Sequence, residues 1–185
     1  APGLSGITAM VWKALIKNSA LREIMLETMV ECWNKERVPK EWLQYYMTVL
    51  EKKGNMNIPG NYRGIAMGET LSKVYTQILK HRLQDLYEGM APEYANGFRR
   101  GRSRIDSIFA VLETLRMRKQ WGQNSYVALY DVVKMFDRIP RTYIWKSLRK
   151  VGVSEKMIRV LTSTLEGAVC FLHVDGEVRM VMIDV

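Results

Sequence analysis

The chain has 185 residues, of which 48% are hydrophobic and 25% charged, a composition typical of a globular domain and not of a disordered segment. Its apolar runs are shorter than the roughly 18 residues of a membrane-spanning helix, which argues against membrane insertion. The N-terminus also lacks the charged and apolar regions of a signal peptide. We therefore expect an intracellular protein.

The positive charge is concentrated in the middle of the chain. The formal net charge is +9, and residues 51–120 contribute +6 of it. Such a local excess indicates a polyanionic partner, and a solvated basic surface is the alternative. Cys32 and Cys170 belong to no CxxC pair, so the sequence indicates neither a disulfide framework nor a zinc site. Both cysteines are expected in the core.

The first part of the chain predicts two helices followed by a strand. Either Ser5 or Thr8 is a suitable N-cap for the first helix. The second helix starts at Ser19, carries apolar residues at helical spacing, and ends before Pro39. Residues 42–50 are rich in aromatic and β-branched side chains, and they predict a strand.

A hairpin-like loop with three basic residues comes next. Lys52, Lys53 and Arg63 flank a segment rich in Gly, Asn and Pro. The planar guanidinium of Arg63 suits phosphate oxygens, which favours a phosphate contact over an ordinary surface arginine. A helix is then predicted over residues 69–87, with its end at Gly89.

Four arginines follow in a short glycine-containing segment, residues 97–104, which we call the arginine loop. Ser103 and Asp106 have the spacing of a capping box, so a helix is predicted to begin there. Side chains and backbone N–H groups at such a helix start can contact phosphates. The loop therefore predicts nucleic-acid contacts, and the residues concerned are Arg99, Arg100, Arg102 and Arg104.

Residues 126–130 form a short aromatic and aliphatic run that ends at Asp131. The run predicts a strand buried on both faces. An ionised Asp at its end requires a partner, and Mg2+ takes one or two protein carboxylates together with substrate phosphates. The alternative is an Asp that only begins a turn. Two further helices and a hairpin through Asp175-Gly176 complete the sequence.

In this order, the segments resemble a reverse transcriptase of the non-LTR retrotransposon type. The resemblance rests on residues 42–54, 61–65, 97–103 and 131–137. It implies an α+β fold, a right-hand polymerase fragment with helices packed on a small antiparallel sheet. Residues 1–125 would be the fingers-like region with its N-terminal helices, and residues 126–185 would be the start of the palm.

The resemblance also implies individual roles. Asp131 would be the catalytic carboxylate that binds Mg2+, and Phe136 would exclude a ribose 2′-OH from the site. Lys53 and Arg63 would contact the triphosphate. Met135 stands where the family usually has Ala, next to the expected nucleotide. The implied partners are an RNA template, its primer and deoxynucleotide triphosphates.

The sequence stops before two further motifs of the family, a Gln-Gly element and an Asp-Asp pair. Two-metal phosphoryl transfer needs carboxylates from both palm motifs, so we expect no catalysis by this chain alone. Two interpretations stay open. One is a part of an RNA-directed DNA polymerase, and the other is a catalytically silent derivative that acts as a binding or structural subunit of a larger assembly.

Overall fold

The computed structural model describes residues 2–52, 54–55, 57–174 and 177–182. Helices and strands follow one another in separate groups, an α+β arrangement, as expected from the sequence. The elements are α1 (Ala9–Leu15), α2 (Ser19–Lys35), β1 (Gln44–Glu51), β2 (Tyr62–Met67), α3 (Thr70–Met90), α4 (Arg104–Gln120), α5 (Met135–Arg138), α6 (Arg141–Lys150), α7 (Glu155–Ser163), β3 (Val169–Val174) and β4 (Glu177–Met182). Short 3-10 turns, Lys40–Leu43 and Pro59–Asn61, precede β1 and β2.

The four strands form one mixed sheet in the order β2-β1-β3-β4. The pairs β1·β2 and β3·β4 are antiparallel, but β1 and β3 are parallel, with Tyr46 opposite Phe171. The expectation of an antiparallel sheet is therefore wrong at the central pair. Parallel strands need a long crossover connection, and the alternation of side chains along a strand does not reveal its direction.

The capping residues determine where the helices begin. The Oγ1 atom of Thr8 accepts a hydrogen bond from the backbone N–H of Val11 at 3.4 Å, so Thr8 and not Ser5 is the N-cap of α1. The predicted stop at Gly89 is wrong, because α3 continues to Met90. A glycine inside a helix costs only about 1 kcal/mol, which does not break a helix of this length.

The chain divides into two compact units. The first unit comprises the chain up to Gln77 together with the segment from Phe136 onward, and the second is Ile78–Met135. The sheet and the helices α1, α2, α6 and α7 belong to the first unit, whereas α4 belongs to the second. Within the described residues, no helix combines the length and the hydropathy that a membrane span requires.

Most of the buried apolar residues lie in the first unit. Ile158 and Val160 of α7 are buried, and both cysteines are buried free thiols, in the core as expected. The rings of Trp42 and Tyr75 lie 5.7 Å apart between centroids in a tilted arrangement. Burial raises the pKa of the Cys170 thiol. Apolar burial of this kind is the main source of stability for the unit.

The predicted buried strand at residues 126–130 is wrong. The segment has no strand pairing, and the side chains of Tyr126, Leu129 and Tyr130 are 94%, 93% and 94% exposed. It lies in the second unit, whose described residues include no strand. A strand needs a neighbour for its backbone N–H and C=O groups, and an apolar run in the sequence does not provide one.

Replacing a buried side chain of α7 tests the core assignment. Ile158→Ala is expected to lower the free energy of unfolding by about 2–5 kcal/mol, because it removes buried apolar atoms and leaves a cavity. The exposed Ile24 of α2 is the matched control. Ile24→Ala should change stability by less than about 1 kcal/mol. Urea denaturation followed by circular dichroism measures both, and equal effects would contradict the assignment.

Candidate functional site

The arginine loop connects α3 to α4, and the Glu88 side chain of α3 binds it at several points. Glu88 Oε1 accepts hydrogen bonds from the backbone N–H of Arg100 at 2.7 Å and from Gln84 Nε2 at 2.8 Å. Its Oε2 accepts from Arg99 Nε at 3.1 Å. The Arg100 backbone N–H, followed by Gln84 and Arg99, holds the pKa of the Glu88 carboxyl below its usual range.

The carbonyl groups of the loop are also bound by α3. Gln84 Nε2 donates to the carbonyl oxygen of Phe98 at 3.0 Å, and Tyr87 OH donates to that of Gly97 at 2.8 Å. Phe98 and Gly101 both have positive φ, 63° and 67°. This region is common for glycine and rare for a bulky residue. The loop therefore has a fixed and locally strained backbone.

Arg99 is the most enclosed cation of the loop. Its side chain is only 12% exposed, and its Nη1 donates to the carbonyl oxygen of Pro92 at 3.2 Å. The same nitrogen lies 3.9 Å from a carboxylate oxygen of Glu93. Together with the bond to Glu88, these contacts tie the turn after α3 to the loop. The guanidinium of Arg99 is thus occupied within the protein.

The other three arginines of the loop are more accessible. Arg100 Nη1 binds Asp85 Oδ1 at 2.7 Å with both side chains largely exposed, and Arg102 pairs with Glu93. Arg104 is exposed and makes no hydrogen bond or ion pair within the part of the chain that the structure describes. Exposed ion pairs are weak, because water and salt screen them, so a stronger anion can replace the carboxylate.

The start of α4 is capped as the sequence predicts. Ser103 Oγ accepts from the backbone N–H of Ile105 at 3.2 Å, and Asp106 Oδ2 accepts from the backbone N–H of Ser103 at 2.6 Å. Ser103 Oγ also accepts from the backbone N–H of Asp106, and this bond and the Asp106 carboxylate bond form a capping box. Arg104 is the first residue of α4 and lies between Ser103 and Asp106, so the capping bonds hold the backbone on both sides of it.

The residues assigned to metal and nucleotide lie at or near α5. Asp131 is exposed and makes no hydrogen bond or ion pair among the described residues. Met135 and Phe136 are the first two residues of α5, and their side chains are 48% and 77% exposed. Met135 is therefore not a core residue of the described structure. Asp131 and Met135 belong to the second unit and Phe136 to the first.

The second nucleotide-binding prediction concerns the hairpin of β1 and β2. Arg63 lies on β2 opposite Leu50 of β1, and its side chain is exposed. The backbone N–H of Lys52 donates to the carbonyl oxygen of Asn61 at 2.7 Å and closes the hairpin. The basic residues 52 and 63 thus flank one hairpin, as the sequence indicates. Lys53 lies outside the described residues.

The side chains available as metal ligands decide how much of the predicted Mg2+ site this chain could provide. In residues 2–52, 54–55, 57–174 and 177–182, no three His, Cys, Asp or Glu side chains are grouped so that they could hold a metal ion together. Asp131 offers the hard oxygen ligands that Mg2+ prefers. As a single carboxylate, it fits one position in the coordination sphere and leaves the other positions to ligands from elsewhere.

Residues 50–180 match the family described as reverse transcriptase (RNA-dependent DNA polymerase). Because the match covers well over half of the chain, the chain belongs to this family. The matched range contains Arg63, the arginine loop, Asp131 and Phe136. The family inferred from the motifs is confirmed.

Curated relatives come from mobile elements of animals. The chain is 24% identical over 178 residues to a "Retrovirus-related Pol polyprotein from type-1 retrotransposable element R2" of Popillia japonica, covering 94% of this chain and 23% of that protein. It is 22% identical over 175 residues to the "Transposon TX1 uncharacterized 149 kDa protein" of Xenopus laevis, covering 94% and 13%. A "Probable RNA-directed DNA polymerase from transposon BS" of Drosophila melanogaster is 24% identical over 136 residues, covering 72% and 14%. The chain thus spans less than a quarter of the length of these relatives.

The acceptors that organise the arginine loop, Glu88 foremost, were not predicted from the sequence. Glu88 lies in the last turn of α3, where the helix dipole disfavours a negative charge. An acidic residue at that position signals a cationic or N–H partner nearby. Gln84, four residues earlier, lies on the same helix face, and this spacing was the available signal. The exposure of Phe98 has no comparable signal, because it depends on the path of the loop.

Glu88→Gln is expected to lower the melting temperature and to accelerate amide hydrogen exchange at Arg100. The amide side chain cannot accept both the Arg99 and the Arg100 bonds, since one of its terminal atoms is a donor. The folded-state pKa of Glu88 is lowered from 4.5, so its stabilisation is complete above that pH and is lost as the pH falls through the lower folded value.

The stability difference between the two proteins should therefore be largest near neutral pH and should shrink in acid. Glu27→Gln, at an exposed position of α2, is the control and should change neither observable. A difference that persists unchanged below the folded-state pKa would contradict the role given to the carboxylate. Thermal unfolding across pH and hydrogen exchange by mass spectrometry provide the measurements.

Proposed function

We propose that the chain is part of an RNA-directed DNA polymerase that extends a primer along an RNA template with deoxynucleotide triphosphates. The observation that carries the proposal is the family match over residues 50–180, which includes each motif residue named for nucleotide or template. Residues 1–125 would act as the fingers-like region and residues 126–185 as the start of the palm. The chain by itself would not catalyse the reaction.

In this proposal Asp131 is a metal-binding carboxylate. Its exposed side chain is not engaged by any described group, so no internal bond has to break before a cation binds. Bound Mg2+ would offset the negative charge of the phosphates during nucleotidyl transfer. The remaining carboxylates of the metal site would come from protein outside this chain. Asp131 therefore supplies one necessary ligand and not a complete site.

Four further residues would contact the nucleotide. Arg63 and Lys53 carry positive charge for the triphosphate, and the exposure of Arg63 on β2 leaves its guanidinium available. Phe136 would lie under the sugar and exclude a 2′-OH by contact with its ring. Met135 would border the nucleotide through a side chain that is flexible enough to move aside.

The arginine loop would bind the backbone of the nucleic acid. Arg100, Arg102 and Arg104 have accessible side chains and would contact phosphates, exchanging exposed carboxylate partners for them where they have any. Arg99 would act differently, since its enclosed side chain holds the loop to Glu88 and Pro92. It would position the other three without replacing its own partners.

A second candidate function is a catalytically silent subunit that binds nucleic acid or protein within a larger assembly. Met135 favours it, because this side chain is larger than the Ala usual in the family and lies beside the expected nucleotide. Such a subunit would retain RNA binding by the arginine loop. It would show no dependence on Asp131.

Primer extension separates the two functions. The polypeptide translated from the complete reading frame should extend a primer on RNA when Mg2+ and deoxynucleotides are present. Asp131→Asn should reduce the rate by about a thousandfold or more, since a metal contributes several kcal/mol to the transition state. Glu27→Gln in α2 removes an exposed carboxylate elsewhere and should leave the rate unchanged. RNA binding without extension by the unsubstituted polypeptide would establish the silent subunit instead.

The salt dependence of RNA binding tests the role of the arginine loop. For Arg104→Ala, the slope of log affinity against log salt should become shallower by about 0.7, the value for one phosphate contact with a single strand. Arg22→Ala on α2 removes the same charge outside the loop and is the matched control. Fluorescence anisotropy with a single-stranded RNA gives both slopes. Equal slopes for the two variants would mean that Arg104 faces solvent or protein and not phosphate.

A further inference from the structure

Phe98 presents an aromatic ring to solvent from a fixed backbone. The side chain is 76% exposed, although its φ of 63° is unfavourable for a bulky residue. Its carbonyl oxygen accepts a hydrogen bond from Gln84 at 3.0 Å. The next residue, Arg99, is anchored by Glu88 and by the Pro92 carbonyl group. The position of the ring is thus set by neighbours that are themselves held in place.

A contribution to the stability of the second unit does not explain why a phenylalanine occupies position 98. A glycine would adopt the same φ without strain, and an exposed ring buries little apolar surface against its own unit. The backbone bond from Gln84 needs only the carbonyl group, which every residue has. Both the strain and the exposure are explained if the ring contacts a ligand that is not part of the described structure.

The surroundings of the ring indicate the chemistry of its ligand. Arg100 and Arg104 follow within six residues, with exposed side chains, and Gly101 lies between them with a φ of 67°. Proteins that bind single strands combine cations for the phosphates with aromatic rings on which bases stack. In a duplex the base faces are already stacked, so a ring of this kind favours unpaired bases. The positive charge of the loop favours a polyanion over an apolar protein surface.

We propose that Phe98 is a base-stacking residue, whose ring stacks on an unpaired base of the RNA strand that the arginine loop holds by its phosphates. The inference rests on the proposed nucleic-acid function of that loop and adds a contact to the bases. Stacking is possible with all four bases, so Phe98 would raise affinity without selecting a sequence. The hydrogen bonds among Glu88, Gln84, Arg99 and the loop backbone would hold the ring in position.

The test measures binding of the chain to a labelled single-stranded RNA of about 12 nucleotides, a length within the usual site sizes of such proteins. The second ligand is the same backbone without bases. Phe98→Ala should weaken binding to the RNA by about 5- to 100-fold at every salt concentration. The salt slope should not change, because a ring displaces no counterion. Binding to the abasic strand should be the same for both proteins.

Two more variants at the same position separate stacking from folding. Phe98→Gly should bind RNA as weakly as Phe98→Ala while its melting temperature stays equal or rises, since glycine relieves the strain of the positive φ. Phe98→Trp should bind at least as tightly as the unsubstituted chain. Tyr143→Ala, at an exposed aromatic of α6 in the first unit, is the control and should bind like the unsubstituted chain.

The outcomes distinguish the inference from the function on which it rests. If all Phe98 variants bind RNA like the unsubstituted chain, base stacking is overturned and the phosphate-binding loop stands. If Phe98→Ala weakens binding to the abasic strand as much as to RNA, the ring supports the loop and does not stack. If the unsubstituted chain binds neither ligand, both the inference and the proposed nucleic-acid function fail.

Discussion

The carboxylate of Glu88 is the interaction on which the arrangement of the second unit depends. Four arginines within six residues repel one another, and a loop that contains them needs a negative charge to hold one conformation. Glu88 supplies that charge from the end of α3, where it accepts from Arg99, from the Arg100 backbone and from Gln84. The path of the arginine loop and the direction of the Phe98 ring follow from this one cluster of bonds.

Local patterns in the sequence account for the helices, whereas the sheet depends on contacts that are distant along the chain. The start of α4 was predictable, because Ser103 and Asp106 satisfy the cap within one turn. The parallel pairing of Gln44 with Val169 was not, since it joins segments separated by most of the chain. Strand direction is decided by the route of the connection and not by the side chains of the strand. For the same reason, the apolar run at residues 126–130 predicted a burial that the described structure does not provide.

The sequence predicts which residues belong to the candidate site. It does not predict that these residues have different roles. The motifs indicate the arginines of the loop, but nothing in the sequence distinguishes one of these arginines from another. Exposure separates them, because Arg99 is enclosed by Glu88 and Pro92 while Arg104 is unpaired in the described part of the chain. A guanidinium that is already satisfied and one that faces water differ in what they can bind, and only the folded chain decides which is which.

The exposed segment at residues 126–130 has a consequence for the colloidal behaviour of the separate chain. Five consecutive aromatic and aliphatic residues with unpaired backbone groups have the properties of a self-association site, since a second copy can supply the missing strand partner. The nearest charges, Asp131 and Lys134, lie on the C-terminal side and act as gatekeepers at that end alone. We therefore expect a higher protein concentration to favour self-association of the separate chain.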